Sequence, residues 1–564
     1  MFIIKLIFMK RCVIFFISAF IVIVGCKKND KKEYYVRTIE VVCDYTFNDT
    51  TKWAITCRVW GLLKYYHPNV TSGKLDWDKV LLDRLDNINK AQTPELFNDE
   101  LMGLIRDAGK YKGTVDKKWN DSMNMNVNLC WLDNSFIHDT IRNELRKIAS
   151  LEVRQPSYYV DYQHIPGKID KALAFENEKD YPLSFVDNYK YRMLALFRYW
   201  NIIYYFFPFK HLMDTSWDIT LEEFIPLFLN ADVLIQYKEA VLKIAAKIND
   251  GHAYTSITPN SVDFHSNISV MIDSLTVVRT PPEQSLLKRG DVILSINGQD
   301  IIHYRDSMAY IVPSSNKLCT DASINSLIDD LIMEGCELDV IRDGMNLAIT
   351  ERKKQRLPQK ETRSFNMITP EIGYVKMDLI KTTADVDRLF DTIENVPAII
   401  FDLRNYPSNA VVWLFCHLTD NAQFYGGTMY NQDLSRCGSY YIEELILPCM
   451  NNEKSNCDKK YRGKMVVLIY VKTFSFPEHL ATLFRDSGAT LIGTPTAGAQ
   501  GNIADFIMPG KITAIFSSVG WFFPNVGEIQ RKGVIPDIEV YPTMESIMQG
   551  KDEILEAAIR FINF

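Results

Sequence analysis

Hydrophobic positions change their rhythm several times along this chain, and each rhythm predicts a different kind of element. Near the start an apolar run, Val13–Val24, follows Lys10 and Arg11 and ends at Gly25-Cys26. A charged lead, a short apolar run and a small residue at its end predict a cleaved signal peptide over residues 1–25. An uncleaved anchor helix is the alternative reading of the same run. The polar string Lys27–Lys32 then opens a tether over 26–50. No later segment is apolar enough to span a membrane.

The next rhythm is helical and occurs twice. Arg58-Val59-Trp60 leads to Tyr65-Tyr66-His67-Pro68 and then to Asp76-Trp77-Asp78. Arg198-Tyr199-Trp200 leads to Tyr205-Phe206-Phe207-Pro208 and then to Ser216-Trp217-Asp218, 140 positions on at every match. Each copy predicts an aromatic-rich helix stopped by proline, a loop, and a second amphipathic helix opening at Trp-Asp. The second helices are expected at about 78–91 and 218–230. Helical unit 1 is assigned to 51–150 and unit 2 to 185–260. One more helix, Asp139 to Ala149, is expected in the polar stretch between the copies. Two copies make a duplicated unit, not a solenoid. The Trp and Tyr stripe reads either as helix–helix core or as a ligand groove.

From about Ser261 the period shortens to two. Asp291-Val-Ile-Leu-Ser-Ile296 alternates like a half-buried strand, and Asn297-Gly298 is a hairpin turn. A module of short strands is expected at 262–355, running into the charged linker Glu351–Arg356. From Ile372 apolar strands alternate with helices. Strands are read at Gly373–Met377, Ala398–Leu403, Met465–Tyr470, Thr490–Gly493 and Ile512–Ser517, and a helix at Ala384–Ile393. Such alternation predicts a mixed α/β core with largely parallel strands over 360–564. The expected fold class is multidomain α+β.

Composition narrows the classes. The chain has 564 residues, too many for one core, which suggests three or four domains. With 47% hydrophobic residues, the composition supports a large core and argues against global disorder. A net charge of −7 without a basic stripe argues against a nucleic-acid partner. Of the 11 cysteines, Cys12 and Cys26 fall in the leader region, leaving an odd number. None has Cys-x-x-Cys spacing, which weakens zinc and thioredoxin-like readings. Cys437, Cys449 and Cys457 share one polar loop and could pair. No metal constellation appears, and no cofactor is implied.

The candidate chemistry begins after Met465–Tyr470, where the chain reads Phe474-Ser475-Phe476-Pro477-Glu478-His479. A buried strand, a tight turn and a helix start are expected. Ser475 and Glu478 have the spacing of a capping box, and a serine there stands at a positive helix end. The same spacing also serves as an ordinary cap. It is accompanied by Asp250-Gly251-His252, Asp402-Leu403-Arg404 and Gly533-Val-Ile-Pro-Asp537. In that order these motifs resemble the tail-specific (C-terminal processing) serine peptidase family, nearest to its tricorn-core-like branch. Residues 281–298 resemble a PDZ domain, a small barrel that captures extended peptides by strand addition, without its Gly-Leu-Gly-Phe loop. Gly25-Cys26 resembles a bacterial lipobox, with Cys26 the lipidated first mature residue.

The resemblance implies a crotonase-like αβ sandwich as the catalytic core, with Ser475 as nucleophile and the Phe476 amide as one oxyanion donor. The lysine base of many members would fall on Ala499, so the base is expected from the other branch, at His252. His479, four residues past Ser475, is the rival. Glu528 is the carboxylate expected to orient His252, with Gln530 or a backbone carbonyl as the alternatives. The family turn Arg-x-Asn-Pro-Gly-Gly reads Arg404-Asn405-Tyr406-Pro407-Ser408-Asn409 here. The second oxyanion donor therefore falls to the amides of Ser408 or Asn409, without glycine's freedom, and reduced activity is an expectation.

The function implied is an exported serine endopeptidase that hydrolyses proteins or peptides by a Ser–His mechanism. Its partner is a substrate with an extended segment. Its location is the cell envelope, lipid-anchored on the periplasmic or outer-membrane face of a Gram-negative bacterium. The alternative is a peptide-binding lipoprotein that keeps the peptidase and PDZ folds with little or no catalysis. A carbohydrate-binding protein built on the Trp/Tyr repeats is the third reading.

Overall fold

Two long helices have no polar face to give to water. In α1 (Asp49–Tyr66) every residue from Thr51 to Tyr66 is buried, so the helix is core on all sides. It is followed by α2 (Trp77–Lys90) and α3 (Pro94–Ala108). The second copy repeats the order as α4 (Tyr189–Phe206), α5 (Trp217–Leu229) and α6 (Leu234–Lys247). Each copy ends in a third helix: Thr93 caps α3 and Pro94 opens it, and α6 is the helix expected to close before His252. The helix between the copies spans Asp139–Ala149. The computed structural model describes residues 45–115, 123–124, 126–164, 171–259, 267–354, 363–420, 423–449, 460–523 and 527–564. The leader, most of the tether and Cys26 lie outside them.

The copies pair with each other, and their shared motif is the reason. Arg58 of the first copy donates to Asp218 of the second at 2.8 Å, and Arg198 of the second donates to Asp78 of the first at 2.6 Å. Within each copy the indoles bond reciprocally to backbone: Trp60 with Trp77, and Trp200 with Trp217. Positions 61 and 201, equivalent in the repeat, meet where the long helices cross. Only one can carry a side chain: a Cβ on Gly61 would lie 1.7 Å from the Asn201 side chain, which donates to the Cys57 carbonyl at 3.0 Å. Trp60, Trp77 and Trp200 have no exposed surface, so the aromatic stripe is core and not a ligand groove.

The middle module is antiparallel. Its strands β1 (Ser269–Ile272), β2 (Leu275–Val278), β3 (Val292–Ile296), β4 (Glu337–Arg342) and β5 (Met345–Thr350) lie side by side in that order. Asn297 and Gly298 turn at φ 49° and 77°, as a two-residue hairpin requires. Helix α7 (Lys317–Glu334) lies beside β1, and its Asp329 accepts from the amides of Ile268 and Ser269 at 3.0 and 2.8 Å.

In the core sheet β6 (Phe365–Thr369) runs antiparallel to β7 (Ile372–Lys376). Then β8 (Ala398–Asp402), β9 (Lys464–Ile469) and β10 (Thr490–Gly493) follow in parallel. A separate hairpin, β11 (Ile503–Met508) and β12 (Ile512–Ser517), intervenes before β13 (Ile538–Glu539) closes the sheet. Alternate residues feed the two faces. Ile399 and Phe401 pack under α8 (Thr383–Ile393) and α9 (Phe476–Asp486), while Ile400 packs under α10 (Glu553–Asn563). The strand read at Ile512–Ser517 is thus not part of the parallel sheet. It leans on the helical pair, and the Ile515 amide donates to the Tyr254 carbonyl at 2.8 Å, tying the segment after α6 to the core.

Cys130 is disulfide-bonded. Cys437 carries a free, buried thiol and is not part of a pairing within its loop; Cys457 lies outside the described residues. Among the described residues no helix is long and apolar enough to cross a membrane.

Candidate active site

Ser475 stands between β9 and α9 with φ 65° and ψ −122°. A non-glycine residue held there stores roughly 1–3 kcal/mol of strain, which the surroundings must over-determine. They do so through the serine's own amide, which donates to the Ala499 carbonyl at 3.0 Å and to Glu478 Oε2 at 3.0 Å. The buried Glu478 carboxylate also accepts from the amides of Gly498 (2.7 Å) and Ala499 (3.0 Å) and from the Thr496 hydroxyl. The capping glutamate therefore clamps the 496–499 loop onto the elbow. Burial pushes its carboxyl up to about 7, against these four hydrogen bonds, which favour the charged form.

His252 is delivered by the turn after α6. Asp250 is fully buried. Its Oδ1 accepts from the His252 amide (3.1 Å), the Ser517 hydroxyl (3.0 Å) and the Gln530 amide group (3.2 Å), and its Oδ2 from the Ser517 amide (2.7 Å). His252 Nδ1 lies 2.9 Å from Ser517 Oγ. Since the Ser517 proton goes to Asp250, the serine oxygen accepts from Nδ1–H. That tautomer, assigned from the hydrogen bonds, leaves Nε2 as a proton acceptor. Burial raises the Asp250 carboxyl, but its bonds to His252 and Ser517 outweigh that and hold it below the usual range.

The two halves of the site touch. The His252 ring centroid is 4.6 Å from that of Phe474. A Cβ on Gly251 would lie 2.8 Å from the Ala499 Cβ and 2.9 Å from the Phe474 ring, so only glycine permits this approach. Phe474 and Ala499 are the residues that precede Ser475 and anchor its amide. Ala499, at the position that the lysine base of many family members would take, is itself fully buried.

Glu528 is not brought to His252. It pairs with His211 Nε2 at 3.1 Å, on the partly exposed rim. Gln530, two positions on and buried, reaches Asp250 instead. The physical reason is charge: Asp250 already fills the pocket, and a second buried carboxylate beside it would be repelled. The sequence signal for Asp250 was the Asp-Gly-His triplet itself. Ser517 had no signal, because β12 reaches the histidine only through tertiary folding. His479 is enclosed by Trp521 and Phe523, with ring centroids at 4.8 and 5.3 Å, and burial lowers it to about 4.

The turn after β8 is built without positive φ at Ser408 or Asn409, so it has no need of glycine there. Ser408 has φ −79° and ψ 162°, donates its hydroxyl to the Ile380 carbonyl at 2.8 Å, and precedes a 3-10 helix, Asn409–His417. Arg404 forks onto Asp402 and reaches Asp552, a structural ion-pair network. A polar cavity of about 310 Å³ adjoins it, lined by residues that include Arg279, Tyr470 and Lys472 but not Ser475.

A strained serine at a strand-to-helix elbow, packed against a histidine backed by serine and aspartate, sits in a peptidase-like α+β fold. Residues 371–540 match the family model described as Peptidase family S41, whose peptidases are of serine type. Among solved structures, mature CPAF complexed with lactacystin is 12% identical with a TM-score of 0.51, and the match covers 67% of this chain and 98% of that one. A putative peptidase from Parabacteroides merdae is 15% identical with a TM-score of 0.41, covering 66% and 96%. The photosystem II D1 C-terminal processing protease is 16% identical with a TM-score of 0.37, covering 64% and 98%. The CPAF likeness is one of fold. No curated protein sequence matches the chain significantly.

Proposed function

We propose that this chain is a serine endopeptidase that hydrolyses peptide bonds of proteins or peptides, with Ser475 as nucleophile and His252 as base. The observation that carries the reading is the chain of hydrogen bonds from His252 Nδ1 through Ser517 to Asp250, held against the residues that flank the Ser475 elbow. His252 Nε2 takes the Ser475 proton as Oγ attacks the scissile carbonyl. The oxyanion forms against the Phe476 amide at the positive end of α9. The imidazolium, stabilised by Asp250 through Ser517, returns the proton to the leaving amine. Water then repeats the sequence on the acyl-enzyme.

The module at 262–355 is read as PDZ-like and would hold an extended segment of the substrate beside β1. The core is read as a crotonase-like sandwich. Export and lipid attachment at Cys26 rest on the leader pattern, and a disulfide at Cys130 suits an oxidising compartment. Cleavage of an unfolded protein substrate by the wild-type chain, lost in Ser475→Ala with its thermal midpoint kept, tests the reading. Equal cleavage by both proteins would refute it. The non-catalytic alternative draws on Ser408-Asn409, which stand where the family turn has two glycines.

A further inference from the structure

Two adjacent residues of the middle module touch both halves of the site. Ser315 and Asn316 stand at the start of α7, which Asn316 caps: its Oδ1 accepts from the Cys319 amide at 2.9 Å. The buried Ser315 hydroxyl accepts from the amide of Gly251, the neighbour of His252, at 2.8 Å. Asn316 Nδ2 donates to the Ala497 carbonyl at 2.9 Å and to the Arg531 carbonyl at 3.2 Å. The side-chain amide thus uses its oxygen for the cap and its N–H groups for the core.

The Ala497 end of this bracket leads to the serine. The Ala497 amide donates to the Thr473 carbonyl at 3.1 Å, and the Ala499 carbonyl accepts from the Ser475 amide. Arg531 ties the same loop back: its amide donates to the Gly498 carbonyl at 2.7 Å, and its Nε donates to the Ser315 carbonyl at 2.9 Å. There is no slack at Gly498, where a Cβ would lie 3.0 Å from Asn316 Nδ2 and 2.9 Å from the Arg531 carbonyl carbon. One turn into α7, Cys319 packs with Phe474, Ala497 and Ala499. Gln530 makes a comparable bridge within the core, from Asp250 to the Gln500 amide.

We propose that Ser315 and Asn316 are positioning residues: through them the middle module sets the separation of His252 and Ser475 that proton transfer needs. The module then completes the site as well as holding substrate. The inference rests on Ser475 being the nucleophile and His252 its base. His252 follows a helix of the repeat and Ser475 follows β9. Ring and methyl contacts between those segments resist closer approach but not sliding, whereas hydrogen bonds fix direction. A misplacement of about 1 Å costs roughly a hundredfold in rate.

The test compares full-length wild type, Asn316→Ser and Ser315→Ala. Asn316→Ser keeps a capping hydroxyl but is too short to hold both carbonyls. Fluorophosphonate labelling at pH 8 gives a rate constant and an end point for each protein. The rate should fall about a hundredfold in Asn316→Ser and about tenfold in Ser315→Ala, with the end point still one adduct per chain. With a peptide substrate, kcat should fall and KM hold. An unchanged rate with a lower end point overturns the proposal, because the pair then serves stability alone. A raised KM with unchanged kcat also overturns it, leaving the module to substrate capture. If Asn316→Ser does not fold, the Ser315→Ala rate decides. If wild type itself does not label, the serine-peptidase reading fails and this inference with it; normal labelling of wild type and both variants defeats this inference alone.

Discussion

The helical pair and the serine elbow bury charge in opposite ways. Between the helical copies each buried guanidinium meets a buried carboxylate: Arg58 with Asp218, and Arg198 with Asp78. At the elbow Glu478 is satisfied by three backbone amides and a hydroxyl, and Asp250 by amides, a hydroxyl and the histidine's network. Ion pairs between rigid helices fix which face meets which, and they tolerate no movement. Carboxylates held by amides shape loops and leave groups whose protonation responds to pH. The first arrangement supports the molecule; the second is the one the proposed function uses for chemistry.

The largest expected effect falls on the elbow side. Asp250→Asn should keep the fold and lower kcat by about a thousand- to ten-thousandfold, because the amide no longer sets the His252 tautomer. Steady-state kinetics with a peptide substrate check it; a loss under tenfold would remove Asp250 from the relay. On the helical side Arg58→Ala leaves Asp218 buried and unpaired, which should cost about 3–5 kcal/mol in urea unfolding. The double variant Arg58→Met/Asp218→Leu should recover most of that loss, while kcat per folded molecule stays at the wild-type level throughout. A double variant as unstable as Arg58→Ala would show that packing, not charge, dominates the contact.

A smaller effect is pH-dependent. The folded chain holds the Glu478 proton to about pH 7, against an ordinary 4.5, so the protonated carboxyl is the form the fold prefers. Its contribution is complete below about pH 4.5 and is lost as pH rises through 7, roughly 3 kcal/mol in all. Urea midpoints between pH 5 and 8 should fall more steeply for wild type than for Glu478→Gln. Parallel curves would place the carboxylate's four hydrogen bonds above its burial. The smallest effect on stability is at Ser475 itself. Ser475→Gly removes the strain at φ 65° but adds freedom to the unfolded chain, for a net gain of about 1 kcal/mol with all activity lost. A destabilised glycine variant would mean that the elbow is not strained.

What could be read from the sequence was local. The Arg-x-Trp and Trp-Asp motifs repeat at one spacing, so the duplicated helices were legible, whereas their reciprocal ion pairs, which cross between copies, were not. Ser475 and His252 stood out because a strand, a turn and a helix start, or a helix end and a glycine, lie within a few residues. Ser517 comes from a hairpin whose contact with the histidine is tertiary. Glu528 is the only carboxylate in the stretch 527–533, yet the fold turns Gln530 inward and leaves Glu528 with His211. Tyr406 was visible only as one letter of a divergent turn; that its ring stands 6.5 Å from the Phe476 ring depends on how β8 and β9 lie side by side.

The central claim, a serine activated by His252, is tested most directly by mass spectrometry of the fluorophosphonate adduct on folded protein at pH 8. We expect one adduct per chain, on the peptide that contains Ser475, absent in Ser475→Ala. The rate should fall at least a thousandfold in His252→Ala and stay near wild type in His479→Ala. An adduct that forms as fast in His252→Ala as in wild type, or on another residue, would contradict the account.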